Sequence, residues 1–411
     1  MIAGAAGSAA PPDPPSLALR GRRVLFVLGH LELGGAERQA MLLACHLAGP
    51  VAARVEVWGM GRPGRVAAMC ENAGIPCRAM SLPYAGGRAR RWTALAAFAL
   101  RLRRARFDAV LSYTMAPNVL CGAVIPWTGV KAFVWNQRDE GRGRLGRRLE
   151  RLALRHTRDF VSNSRHGARF LSGTLGVDPA RIRVVPNGVE LSRIERDRRG
   201  WRESLGLDER AFAACMVSNL HRYKDHPTLL RAWRLALDRW PAPGGPGVLL
   251  LAGRLHEDSR GLLDLAEELR LGGSVRFLGE VDDIAGLLGA VDLGVFSSRF
   301  EGVPNGILEC MAAGLAVAAT DIPGIREAVG TDGAELLAPA GDVDALAGRI
   351  LAAAGDPGLR ARVGQANRRR ASEEFSARGM CEAMTRVLAE ALASRVGSRE
   401  RVAGVTPGGA L

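Results

Sequence analysis

Short, largely apolar runs closed by turn residues alternate along this chain with longer segments whose apolar positions return every three or four residues. In the first half the runs are residues 24–28, 52–58, 109–112, 132–135 and 182–185; in the second they are 213–217, 248–252, 275–278 and 293–296. Runs of this length and β-branched content are what strands buried on both faces look like, which means a parallel sheet. The helical spacing is clearest after Gly34–Gly35, in GHLELGGAERQAMLLACHL. Strand, turn and helix in repeated succession predict an α/β chain with helices packed over parallel strands. The turn Pro186–Asn187–Gly188 breaks the succession and marks the expected junction between two lobes.

Length and composition fit that reading. With 411 residues, 47% of them hydrophobic, the chain is long enough for two domains that each bury a core. The seven cysteines are odd in number, scattered and without metal-ligand spacing, so they read as reduced core thiols of a cytoplasmic protein. Residues 1–20 hold four prolines among alanines and no basic start, which predicts a disordered lead-in and not a signal peptide. The most apolar long stretch, 115–135, is interrupted by Pro117, Pro126 and Lys131, so no membrane span is expected.

The net charge of +14 is unevenly distributed. Residues 1–188 carry 28 Lys and Arg against 11 Asp and Glu, whereas the remainder carries 28 against 31. Much of the excess lies in two runs, Arg88 to Arg106 around TALAAFAL, and Arg138 to Arg158. Anionic lipid headgroups attract such runs by about 1 kcal/mol per residue near a surface. Solvated helix faces rich in arginine are the plain alternative. With no nucleic-acid motif and 5% aromatic residues, a membrane surface is the better partner and nucleic acid is not expected.

The segment FEGVPNGILECMAAGLAVAATDIPG carries the most chemistry. Glu301 and Glu309 stand eight positions apart around a Gly, Pro and Asn turn that opens a small-residue helix. Glu301 falls in the loop after the run 293–296, and Glu309 about two turns into the helix, near enough to face one extended ligand. Backbone N–H groups from Gly302 through Val303, Pro304 and Asn305 to Gly306 (Pro304 has none) lie at the helix start, where the dipole favours an anion by about 0.3–1 kcal/mol. A diphosphate suits that position; ordinary solvated acids at a helix start are the alternative.

With these residues the chain resembles the retaining glycosyltransferases of family 4, the group 1 glycosyl transferases, from about Arg23 to the final helix. The resemblance implies a GT-B fold: two facing Rossmann-like lobes with the active site in the cleft between them. It implies that Glu301 lies against the donor sugar near its anomeric carbon and that Glu309 meets the ribose hydroxyls. Gly34 and Gly35, in the GGAER that opens the family's site-facing helix, become neighbours of the donor phosphates or the acceptor. In the loop SNLHRYKDHP, Lys224 keeps the place of a cation that grips the diphosphate, but the family's arginine five positions earlier is Asn219 here. Arg222 is expected to supply that charge. Arg254 and the backbone near Val281 are expected around the donor's phosphate and base.

A histidine found in many relatives is replaced by Ser112–Tyr113–Thr114. That loop with Asn118, and the loop NQRDEG with Arg138 and Asp139, are the acceptor-side candidates, against the alternative of simple turns. The expected domains are a basic acceptor lobe 21–188, a donor lobe 189–370, a helix over 371–396 that crosses back to brace the first lobe, and a disordered tail 397–411.

The function implied is transfer of a sugar from a nucleotide-sugar donor to a hydroxyl of a glycan or lipid-linked acceptor, with retention and without metal or other cofactor. The setting is cell-envelope or exopolysaccharide synthesis at the inner face of the cell membrane. Whether Glu301 attacks covalently or orients the sugar is left open by the sequence. A nicotinamide dehydrogenase is disfavoured because no GxGxxG follows the first strand. A non-catalytic membrane or nucleic-acid binding protein would explain the basic half but not the paired glutamates.

Overall fold

The first seven strands of the computed structural model are β1 (Arg23–Leu28), β2 (Arg54–Met60), β3 (Cys77–Met80), β4 (Ala109–Tyr113), β5 (Ala132–Gln137), β6 (Asp159–Ser162) and β7 (Ile182–Val184). They pair in the order β3-β2-β1-β4-β5-β6-β7 with every pairing parallel. The next six are β8 (Ala213–Val217), β9 (Val248–Ala252), β10 (Val275–Gly279), β11 (Leu293–Phe296), β12 (Val317–Thr320) and β13 (Leu337–Ala338). Their order is β10-β9-β8-β11-β12-β13, again all parallel. The described residues are 14–80, 88–139, 141, 145–191, 194–240, 247–255 and 260–403.

Both orders reverse once, at β1/β4 and at β8/β11, and a crevice opens at such a reversal outside the carboxyl ends of the strands. The loops after these four strands are therefore the ones that fold topology presents to a ligand. The two faces of the first sheet bury separate cores because successive side chains of β1 point to opposite sides. Val24, Phe26 and Leu28 pack with the helix Gly35–Ala48, whereas Leu25 and Val27 pack with Trp58, Phe98 and Trp135 under the helices Arg88–Ala105 and Met115–Val124. The second lobe has one continuous core that runs from Ala213 to Phe375.

The final helix, Ala377–Ala403, belongs by packing to the first lobe. Met380, Cys381, Met384, Val387 and Leu388 are buried in the same core as Phe26 and Leu28. The crossing is pinned by backbone: Val189 N–H donates to the Phe375 carbonyl at 2.7 Å and the Ala377 N–H donates to the Val189 carbonyl at 3.1 Å.

Several expectations need correction. The lead-in expected to be disordered across 1–20 contains a helix, Pro14–Leu19, whose Leu19 is fully buried against the first core; residues 1–13 lie outside the described residues. The tail expected to be disordered from 397 continues as helix to Ala403, and 404–411 lie outside the described residues. The apolar-run pattern leaves out β3, β6, β12 and β13. They are short, of four, four, four and two residues, and β3, at the sheet edge, buries only Met80. Among the described residues no helix is long and apolar enough to cross a membrane.

Because the last helix completes a core it is not sequence-adjacent to, Leu388→Ala should destabilise the protein by about 2–5 kcal/mol, the usual cost of such a cavity. Urea denaturation of the native and substituted chains measures it.

Candidate functional site

The loop after β8 is bent by a short turn, Arg222–Lys224, and by Asp225, which takes a left-handed φ of 52° before the helix His226–Asp238. Asp225 holds that conformation with its carboxylate, which accepts from Thr228 Oγ1 at 2.8 Å and from Arg299 Nε at 2.7 Å. Ser297 Oγ donates to the Lys224 carbonyl at 2.9 Å and the Arg299 N–H to the Tyr223 carbonyl at 2.9 Å. These bonds stitch the loop after β8 to the loop after β11. Their result is an ion pair between Lys224 Nζ and Glu301 Oε1, and Glu301 also accepts from Ser298 Oγ at 3.0 Å. Both charged groups are largely buried, with side-chain exposures of 14% and 9%.

The helix that follows, Asn305–Ala312, starts without a side-chain cap, so its first N–H groups remain available to an anion. Two glycines allow this start. A Cβ on Gly306 would strike the Val217 carbonyl oxygen, and one on Gly324 would strike the carbonyls of Glu301 and Gly302. Facing it from the first lobe is the start of Gly35–Ala48, capped by Gly34 and likewise free of a side-chain cap. Across the gap, Asn305 Nδ2 donates to the Gly35 carbonyl at 2.9 Å, and Asn187 Nδ2 donates to the Val303 carbonyl and to Asn305 Oδ1, each at 2.7 Å.

The resulting cleft has a volume of about 880 Å³ and is lined from both lobes. From the first come residues 29–38 except Leu31, together with Arg65, Thr114, Arg138, Asp139, Asn163 and Asn187. From the second come residues 217–224 except Leu220 and Arg222, residues 252–254, Glu280, Val281 and Ile284, and the run Glu301 to Gly306 with Glu309. Gly34, Gly35, Asn219, Lys224, Arg254, Val281, Glu301, Gly302, Val303, Pro304, Asn305, Gly306, Glu309, Arg138 and Asp139 thus share one wall-to-wall space.

Two candidates do not join them. Arg222 is exposed and outside the lining, turned away by the same short turn that aims Lys224 inward. The second lobe's cleft-lining guanidinium is that of Arg254, whose backbone N–H donates to Asn219 Oδ1 at 3.1 Å and whose guanidinium meets Glu32 of the other lobe at 2.7 Å. Asn118 is fully buried beneath the cleft floor. It accepts from Ser112 Oγ at 2.6 Å and bonds the Asn136 backbone, tying β4 to β5. Of the loop that replaces the family histidine, only Thr114 reaches the cleft, held at an unusual φ of 69°.

Charge is paired across the cleft. Arg38 donates to Glu309 Oε1 at 2.7 Å, and Arg65 reaches Glu280 at 3.3 Å as well as Asp282. Burial pushes the Glu309 carboxyl above the ordinary range, with Arg38 pulling the other way. Glu37 is also buried and raised by burial, opposed by His30, Arg138 and Arg254. Arg138 is lowered by burial and stacks its guanidinium 5.4 Å from the Tyr113 ring.

Arg38, Arg65, Glu32, Asn163 and Asn187 were not singled out as ligand-facing by sequence reasoning. Arg65 sits after the carboxyl end of β2, the rule that located the other loops. The contacts of Arg38 and Glu32 with the opposite lobe had no sequence signal.

A model of the family described as Glycosyltransferase Family 4 matches residues 33–193, and one described as Glycosyl transferases group 1 matches residues 211–356. The chain belongs to the family 4, group 1 glycosyltransferases. Each match coincides with one lobe of this family 4 chain. It is 31% identical over 253 residues to a D-inositol 3-phosphate glycosyltransferase of Salinispora arenicola, which covers 57% of this chain and 55% of that protein. It is 28% identical over 179 residues to the UDP-Gal:alpha-D-GlcNAc-diphosphoundecaprenol alpha-1,3-galactosyltransferase of Escherichia coli, covering 43% and 46%. The aligned part is thus about half the length of the relatives it matches in sequence. In fold it is similar to Anabaena Alr3699/HepE, solved in complex with UDP-glucose, with a TM-score of 0.76 at 21% identity over 90% of this chain and 99% of that one. The glycosyltransferase WaaG gives a TM-score of 0.66 at 18% identity over 89% and 99%.

His226, at the start of the helix behind Lys224, is buried, with Nε2 3.5 Å from Ser218 Oγ. Burial first, and Lys224 second, push its pKa down to about 3. Unfolded, the imidazole titrates near 6.5, so between these values the unfolded state binds more protons and stability falls as pH falls. His226→Asn should therefore flatten the loss of stability between about pH 6.5 and pH 4. Paired denaturation curves across that range check it; equal slopes in both proteins would exclude a neutral buried imidazole.

Proposed function

We propose that this protein transfers a glycosyl unit from a nucleotide-sugar donor to a hydroxyl of a glycan or lipid-linked acceptor, with the anomeric configuration retained. The observation that carries the reading is the Lys224–Glu301 pair set beside the uncapped start of the helix Asn305–Ala312 in a cleft lined by both lobes. A diphosphate at that helix start meets backbone N–H groups, the Lys224 ammonium and the Arg254 guanidinium. Negative charge grows on the leaving oxygen as the glycosidic bond breaks, and fixed donors aimed at that oxygen lower the barrier.

In this reading Lys224 exchanges its carboxylate partner for the diphosphate. Glu301 is then released to face the sugar, where it orients the hydroxyls and stabilises positive charge at the anomeric carbon. Glu309 leaves Arg38 for the ribose. The departing phosphate accepts the proton of the incoming hydroxyl, which approaches from the Arg138 and Asp139 side on the same face, so that configuration is kept. Cell-envelope or exopolysaccharide synthesis, at the inner face of an anionic membrane, is the setting family analogy supports.

Glu301→Gln should lower turnover of the accepted sugar nucleotide by about 100-fold, the scale for removing one preorganised electrostatic group. The panel is the UDP, GDP and ADP sugars, followed by release of the free nucleotide. Nucleotide binding, measured separately by calorimetry, should stay nearly unchanged. Native turnover in the variant would remove Glu301 from the reaction.

A further inference from the structure

The apolar surface with the largest side chains in view lies away from the cleft, on the outside of the helical layer that covers one face of the first sheet. Trp92, Leu100 and Trp127 are exposed at 57%, 46% and 55%. They belong to one groove of about 480 Å³, whose floor includes Leu95, Ala99 and Leu152. On the helix Arg88–Ala105, Trp92, Ala96, Ala99 and Arg103 recur at helical spacing and form one stripe. A buried neighbour would normally cover such a stripe; among the described residues none does.

Its surroundings are predominantly cationic, with Glu56 and Asp108 as the acids lining the hollows beside Leu100. The helix Arg88–Ala105 contains no acidic residue, and exposed Arg101 and Arg104 flank Leu100. On the helix Arg147–His156, exposed Arg148 and Arg155 stand four before and three after Leu152, and the one acid, Glu150, is buried. None of these four arginines makes an ion pair with a described residue. Bulky indoles at the rim of an apolar groove, ringed by arginine, match the boundary between headgroups and acyl chains of an anionic bilayer.

We propose that this groove and its arginines are a docking surface for an anionic phospholipid bilayer, with Trp92, Leu100 and Trp127 entering the acyl boundary and the arginines pairing with headgroup phosphates. The inference rests on the reading of a lipid-linked acceptor for its purpose, but not for its test. The helix that carries Trp92 begins at the carboxyl edge of the first sheet, the side where the cleft opens, and the groove runs from there toward the amino edge, where Trp127 ends the segment after Met115–Val124. Docking there holds the acceptor lobe against the surface from which a lipid-linked hydroxyl would be drawn.

The test is co-sedimentation of the full chain with vesicles of phosphatidylglycerol and phosphatidylcholine, against vesicles of phosphatidylcholine alone. The native chain should partition at least tenfold more strongly onto the anionic vesicles. Trp92→Ala with Trp127→Ala should lose most of that binding even at low salt. Arg101→Glu with Arg148→Glu should abolish the preference for anionic lipid. Circular dichroism and nucleotide calorimetry on the same variants confirm that fold and donor site persist, so failure to bind vesicles is told apart from failure of the transferase reading. Equal binding by native and tryptophan variants overturns the proposal, as does no binding by the native chain. A native dimer that the tryptophan variant converts to monomer overturns it too, by giving the groove to a second copy.

Discussion

Glu301 and Glu309 are carboxylates removed from water in a cleft between two parallel sheets, and each is met by a cation: Lys224 from the same lobe and Arg38 from the other. A buried charge left alone costs several kcal/mol, so each acid constrains where its cation stands. The constraint shapes the surrounding chain. Asp225 adopts a left-handed backbone, Ser297 and Arg299 clamp the neighbouring loop, and the result aims Lys224 at Glu301. Arg38 can reach Glu309 only because the start of its helix abuts the Asn305 helix start, as the Asn305–Gly35 hydrogen bond records. The charged groups of the cleft are thus paired with one another.

Preorganisation follows from this arrangement. Lys224 and Arg254 are already held in the cleft by carboxylate partners, Glu301 and Glu32. Arg254 is held by Asn219 through its backbone and by Glu32 through its guanidinium. Asn219 therefore fixes the backbone that carries a cleft-lining cation.

Much of the fold was legible because buried parallel strands announce themselves as apolar runs, and β1, β5, β8, β9 and β11 all do. The strands β6, β12 and β13 did not, since a stretch such as Val317–Thr320 is built from small residues that read equally as loop or helix. The paired glutamates and Lys224 were legible because their spacing is local and their positions follow strand ends. Arg222 was misplaced because a turn of three residues decides which of two neighbouring cations faces inward, and no periodicity reports it. Asn118 was misread because a polar residue in a strand-end loop can serve the floor of a site as well as its wall. Contacts between Arg38 and Glu309, 271 residues apart, have no sequence signature at all.

The central claim is that the cleft binds a nucleoside diphosphate through Lys224 and the neighbouring helix start. Thermal unfolding of native and Lys224→Ala protein with UDP, GDP and ADP tests it most directly, because a ligand at 100 times its dissociation constant adds about 2.7 kcal/mol to the folded state. The account predicts that one nucleotide raises the native midpoint and that Lys224→Ala, folded as before, loses most of that rise. No rise with any nucleotide, or an equal rise in both proteins, would contradict it.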